Sequence, residues 1–264
     1  MGKLKEFNKT AALVFSLAFH DIRARCLGSF LGFAWAFIQP FVLTVILWLV
    51  VGVAFKAGAV RGVAFLPWLL AGMSAWSFFS DALNQSTNVI CEYAFLVRKV
   101  NFRLHLLPLM KILAALAVHL VFLLIVAVVL LLCGVKFSPG WLAVAYYILA
   151  SCFLLAGLSY LTASLQVFSR DVGQIVSVAL QFGFWVTPVF WDFTMLPAGS
   201  LLAKVLRLNP AVYIVEGYRN SLVFANPFTG GLGEALYFWG FALAVFLAGA
   251  ALFRKLRPQF ADVL

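Results

Sequence analysis

Ser74, Ser77, Asp81, Asn84 and Asn88 recur at steps of three and four residues, so on a helix turning about 100° per residue they share an arc of about 80°. Gln174, Ser177, Gln181, Trp185, Pro188 and Asp192 do the same further along, provided Pro188 leaves the phase unchanged. Their hydroxyl, amide and carboxylate groups can donate and accept hydrogen bonds. Both stripes sit in apolar surroundings, where polar groups are costly and mark a pathway or a helix contact. A third stripe is aromatic: Phe30, Phe37, Phe41, Trp48 and Phe55 lie within about 20° of one common direction, with Phe33 about 60° away. Aromatic faces stack on the apolar faces of sugar rings, and Gln, Ser and Asn bond hydroxyls, so the stripes together suit a long, uncharged, sugar-like ligand. Competing readings stay open. The aromatics can face lipid or a neighbouring helix, and Gln174 and Gln181 can bond between helices.

Enzyme chemistry finds little support. The sequence has no G-x-x-x-x-G-K-[ST] phosphate loop, no H-E-x-x-H and no G-x-S-x-G elbow, so any energy must come from another chain or an ion gradient. Cys26, Cys91, Cys133 and Cys152 share no C-x-x-C spacing and do not group with His20, His105 and His119, so no metal site is expected. The charge of +10 would suggest nucleic acid in a soluble protein, but the distribution of Lys and Arg described below explains it without nucleic acid.

The elements that must carry the stripes follow from solvent. Of 264 residues 65% are hydrophobic and only 11% charged, against about 45–50% and 25% in soluble domains. Segments of about 20 apolar residues satisfy their own backbone inside hydrocarbon, and six are expected: 28–55, 65–80, 112–133, 141–168, 172–191 and 235–253. With the N-terminus inside, the inner segments hold Lys3, Lys5, Lys9, Arg23, Arg25, Arg98, Lys99, Arg103, Lys111, Arg170, Arg254, Lys255 and Arg257. The outer ones hold Lys56, Arg61, Lys136, Lys204, Arg207 and Arg219. That bias puts both termini in the cytoplasm. The opening stretch lacks a short apolar core followed by a small-residue cleavage site, so insertion through the chain's own helices is expected.

Residues 1–27 read as an amphipathic segment on the inner interface, with a solvated basic tail as the alternative. The loop 91–111 places Tyr93, Phe95, Leu96 and Val97 within a rim of Glu92, Arg98, Lys99, Arg103 and Lys111, which suits either docking to a soluble partner or anchoring at headgroups. Segment 192–234 contains apolar stretches at 201–208 and 211–224, too short to cross and expected to be interfacial or re-entrant. Glu216 and Arg219 stand three residues apart, so they can pair on one helical face and tolerate partial burial.

His20-Asp21-Ile22-Arg23-Ala24-Arg25, then Gly28 to Trp35, then Gln39-Pro40 resembles the N-terminal signature of type 2 ABC transporter permeases that export polysaccharides. The resemblance continues through Leu70 to Met73, Trp76 to Phe79, Ser86 to Asn88, Leu96 to Phe102, Arg170 to Gln174, Thr187 to Phe190, Asn209-Pro210, Glu216 with Arg219, and Phe260 to Leu264. It thus covers nearly the whole chain. Phe102 is followed by Arg103 where that family commonly has Pro, with Pro108 further on.

The resemblance implies an all-α integral membrane protein of a bacterial inner membrane, a homodimer of six-helix subunits. Each subunit would dock through a coupling helix at Phe95, Leu96, Val97, Arg98 and Lys99 onto a separate ATPase subunit that binds ATP and Mg, with no cofactor in this chain. The cargo would be a lipid-linked glycan of O-antigen, capsule or teichoic-acid type. Spans one and five would line its path, through Phe30, Phe33, Phe37, Phe41, Trp48, Gln174, Gln181 and Trp185. Glu216 and Arg219 would belong to an external gate of short re-entrant helices, and the N-terminal interface helix would flank a lipid gate. Rival readings are an exporter of a drug or simple lipid, a gradient-driven transporter or channel, and, more weakly, a membrane-embedded glycosyl or lipid transferase.

Overall fold

The structure, a computed structural model, describes residues 12–23, 34–97, 103–197, 199–226 and 231–264. Among them the fold is helical, and the β pairing is a single bridge between Val60 and Val63. The helices are α1 (12–23), α2 (Trp35–Leu47), α3 (Phe65–Glu92), α4 (Ala94–Val97), α5 (Leu106–Leu132), α6 (Val144–Gln166), α7 (Asp171–Val186), α8 (Leu201–Arg207), α9 (Pro210–Leu222), α10 (Leu232–Leu256) and α11 (Phe260–Val263).

Among the described residues four stretches are long and apolar enough to cross a membrane: Phe37–Ala54, Leu106–Leu132, Pro139–Gln166 and Leu232–Val263. The other two expected crossings differ for physical reasons. α3 has 28 residues, ample length, but its hydroxyls, amides and Asp81 dilute its hydropathy. It can carry them because α5, α6, α7 and α9 pack around it and bury most of its residues. It also runs on to Glu92, well past residue 80 where hydropathy ends the segment. α7 has only 16 residues, about 24 Å at 1.5 Å per residue, against about 30 Å of hydrocarbon. It stops because Thr187 precedes Pro188, whose ring disfavours helical backbone before it, and Thr187 is extended at ψ 137°.

After Leu47, α2 passes into a π-helical stretch, Trp48–Ala54. Its wider turn changes the phase of every later residue, so Phe55 does not continue the aromatic face that starts at Phe37. The re-entrant expectation for 192–234 meets two short helices. Ser200 caps α8 by accepting from Ala203 N at 3.2 Å. Asn209 caps α9 from before Pro210, accepting from Ala211 N at 3.0 Å.

Side chains from α3, α5, α6, α7, α9 and α10 form the main core. α6 crosses α10 where Gly157 faces Phe246 and Gly249 faces the Gly157 carbonyl, an approach that leaves no space for a Cβ. A second apolar cluster joins Val14 and Ala18 of α1 to Val89, Leu107, Met110, Phe253 and Phe260. Leu124 and Val128 of α5, Leu243 and Leu247 of α10 and Phe41 of α2 are exposed large hydrophobics. In water such a surface would drive association, whereas in a bilayer it faces its solvent. The chain is a multi-pass membrane protein.

Candidate functional site

The middle of each polar stripe lines one cleft, while Ser74 is buried against the Ala71 carbonyl and Pro188 and Asp192 lie outside it. Ser77, Asp81 and Asn84 stand along α3, Gln174, Ser177, Gln181 and Trp185 along α7, and Trp35, Gln39, Pro40 and Leu43 of α2 close a third side. Trp76, Phe78 and Phe184, with His119 and Phe122 of α5, add an aromatic lining to a volume of about 1020 Å³. The two polar walls touch where Ser177 Oγ lies 3.0 Å from Asn84 Oδ1. Below that contact Gln166 ties the walls together, donating to Asn88 Oδ1 at 2.9 Å and accepting from Gly173 N at 2.6 Å. A second cavity continues along α3 from Asn84, Gln85 and Asn88 to Glu92 and Lys111.

The aromatic stripe goes elsewhere. Phe30 and Phe33 lie outside the described residues. Phe37 stacks on Phe122 at 6.4 Å, and Trp48 packs partly buried against the core, while Phe41 is exposed, and none of the three lines the cleft. The cleft takes its α2 aromatic from Trp35 instead. Trp35 and Gln39 are four residues apart on one helical face, a signal weaker than five aromatics in phase.

An ion cluster closes the fold at the Trp68 end of α3. Arg219 is fully buried: its Nη1 donates to Pro188 O at 2.6 Å and Glu216 Oε1 at 2.8 Å, its Nη2 to Val189 O at 2.5 Å. Its guanidinium carbon sits 3.5 Å from the Trp68 ring centroid. Gly72 leaves the space, since a Cβ there would lie 2.6 Å from Arg219 Nη2. Arg61, from the loop after α2, reaches Asp192 at 2.6 Å and Glu216 at 3.1 Å. Burial alone would raise the Asp192 pKa, but the Thr194 N–H and Arg61 outweigh it and hold the carboxyl below its ordinary 3.8. The Glu216 and Arg219 pair is the expected one. Asp192 reads as the end of the second polar stripe, and its pairing with Arg61 escapes sequence reading because the two come from separate loops, Arg61 lying 155 residues from Glu216.

A second cluster closes the other end of α3. Lys111 of α5, nearly buried, reaches Asp21 of α1 at 2.6 Å and Glu92 at 2.8 Å. Tyr93 donates its hydroxyl to Asp21 at 3.0 Å. Of the proposed docking residues, Phe95 is exposed and Leu96 buried. Val97 ends α4, and Arg98 and Lys99 lie outside the described residues.

A bundle with an apolar exterior, an amide- and aromatic-lined cleft between its helices and no nucleotide loop in its sequence has the form of a membrane transport subunit. Residues 12–223 match the family described as ABC-2 type transporter, and the chain belongs to that family. It is similar to the O-antigen export system permease protein RfbA of Myxococcus xanthus, 24% identical over 263 residues and 98% of each chain. Two proteins of the same name from Klebsiella pneumoniae are 23% identical over 249 residues, 92% of each chain.

Proposed function

We propose that this chain is the permease subunit of an ATP-driven exporter that moves a lipid-linked polysaccharide, of O-antigen, capsule or teichoic-acid type, across the cytoplasmic membrane of a bacterium. The observation that carries the reading is the cleft: Ser77, Asp81 and Asn84 face Gln174, Ser177 and Gln181, between Trp76 and Trp185. Amides and hydroxyls bond sugar hydroxyls, and indole faces stack on sugar rings, so a neutral glycan finds both kinds of contact along the passage. The RfbA relatives, named for O-antigen export, support the same substrate class.

In this reading α2, α3, α5, α6, α7 and α10 make six crossings with both termini cytoplasmic. The ion clusters agree with that topology: Arg61, Asp192, Glu216 and Arg219 fall on the outer side and meet one another. Asp21, Glu92 and Lys111 fall on the inner side and also meet. Two copies form the transporter, and two copies of a separate ATPase, which binds ATP and Mg, dock around Phe95 to Lys99. Gln174, Gln181 and Trp185 line the passage, and Glu216 and Arg219 hold the outer gate.

The test is export of pulse-labelled glycan from cells carrying the chain with an ABC ATPase. Replacing Gln181 and Trp185 together by Ala is expected to lower export about tenfold or more while the ATPase still co-purifies. Unchanged export removes the cleft's role. Stimulation of the ATPase by short lipids as strongly as by glycans would favour a drug or lipid exporter, and transport without any ATPase a gradient-driven one.

A further inference from the structure

Three amides in the second half of α3 have unequal partners. Asn84 accepts from Ser177 Oγ at 3.0 Å and Asn88 from Gln166 Nε2 at 2.9 Å, so both carbonyl oxygens are held by the facing wall. Gln85, one turn after Asp81, differs: its Oε1 is buried and has no hydrogen-bond partner among the described residues. An acceptor that has lost water and gained no donor carries an uncompensated desolvation cost, so it calls for a physical reason. Its location supplies one. Asn84 and Gln85 are the two residues shared by the linings of the cleft and of the second cavity, which runs on toward Glu92. That cavity holds about 430 Å³, within the range of small-molecule sites, about 300–1,000 Å³.

Resting on the proposed function for the nature of the cargo, we infer that Gln85 is a specificity-determining contact at the junction of the two cavities, where its Oε1 accepts a hydrogen bond from a hydroxyl of the passing glycan. A sugar hydroxyl is compact and both donates and accepts. Asn84 carries N–H donors at the same junction, so one hydroxyl can donate to Gln85 while accepting from Asn84. An acyl chain or an O-methylated sugar brings no donor and leaves the oxygen buried and unbonded. A carboxylate or phosphate, acceptor only, sets its own lone pairs against it. The junction therefore favours the hydroxyl-bearing part of a lipid-linked cargo over its tail, and a glycan over a simple lipid. Because Oε1 contributes no bond to the fold, an apolar side chain of similar length can replace Gln85 without loss of stability. A residue that serves cargo at the expense of the empty fold has that signature.

The experiment uses the full chain with its ATPase in proteoliposomes and two probes, a lipid-linked O-antigen glycan and the same glycan with its hydroxyls O-methylated. The readouts are the glycan concentration that half-maximally stimulates ATP hydrolysis and the thermal midpoint in detergent. The parent is expected to respond to the native glycan at a lower concentration than to the methylated one. Gln85→Met is expected to raise the half-maximal concentration of the native glycan about fivefold, the scale of one hydrogen bond, and to leave that of the methylated glycan where it was. Discrimination between the two probes then shrinks by the same factor, while the thermal midpoint stays level or rises. Discrimination as strong in Gln85→Met as in the parent overturns the contact. A lowered thermal midpoint, or a Met variant that does not accumulate, also overturns it, because Gln85 would then be holding the fold. A parent whose ATP hydrolysis responds to neither glycan would instead count against the proposed function.

Discussion

At one end of α3 two arginines meet two carboxylates, and at the other a single lysine is shared by two. The distance between them is about 36 Å, from 24 residues of helix at 1.5 Å each. Arg219 spends its fork on Pro188 O, Val189 O and Glu216, lies against Trp68 and is fully buried. Its position is fixed by geometry that a point charge could not reproduce. Lys111 has one buried partner, Asp21, and one half-exposed partner, Glu92. The Arg219 end is a framework that ties the C-terminal half of α9 to the segment just after α7 and to α3. The Lys111 end can rearrange while keeping α1 attached. A transporter that admits and releases cargo on opposite sides needs such unequal ends, because a molecule rigid at both has no second state.

The largest expected effect is at the rigid end. Arg219→Met leaves Glu216 with Arg61 as its remaining cation and takes the Arg219 donors from two buried carbonyls, so stability should fall by about 3–5 kcal/mol. The readout is the thermal midpoint in detergent or loss of folded protein in membranes. A loss no larger than that of Glu92→Gln would dissolve the contrast between the ends. Gly72→Ala comes next: its methyl meets the guanidinium at 2.6 Å, an overpacking expected to cost about 1–3 kcal/mol. A neutral result would show that Arg219 can move aside, so that end is not rigid.

Acid sharpens the comparison further. The folded pKa of Asp192 lies below its ordinary 3.8, so its ionised form contributes stability that is complete above the ordinary value and is lost as pH falls through the lower, folded one. Melting followed from pH 6 downward is therefore expected to show an Asp192-dependent loss only below 3.8, absent in Asp192→Asn. An unchanged profile in that variant would remove the ion pair with Arg61 from the account of stability. The smallest effect is Glu92→Gln, about 1 kcal/mol or less at a half-exposed pair, read as a small shift in the thermal midpoint. A large loss would show that the Glu92 contact also holds the fold.

Periodicity made the two polar stripes legible, because 3.6-residue spacing survives from sequence to helix at Ser77, Asp81 and Asn84 and at Gln174 and Gln181. What it left open was whether the stripes face each other, which depends on packing between α3 and α7, and they do. The aromatic stripe of α2 was equally periodic, yet Phe37 and Trp48 pack inward and Phe41 outward, since a stripe says nothing about which neighbour meets it. The π turn after Leu47 then broke its phase. Glu216 and Arg219 were readable as a local pair, whereas Arg61 and Asp192 required tertiary structure. Lys111 reads as part of the charged rim of the 91–111 loop, and Asp21 only as part of the N-terminal segment. Their burial follows from α1 folding back on α5, which no local pattern records.

In the proposed function the cleft between α3 and α7 carries the glycan. A photoreactive residue at Gln181, in the cleft, and one at Leu124, on the exposed apolar face of α5, compared during export of radiolabelled lipid-linked glycan, tests it most directly. The expected result is an ATP-dependent adduct at Gln181 and none above background at Leu124. Equal adducts at the two positions, or none at Gln181 while export proceeds, would contradict it.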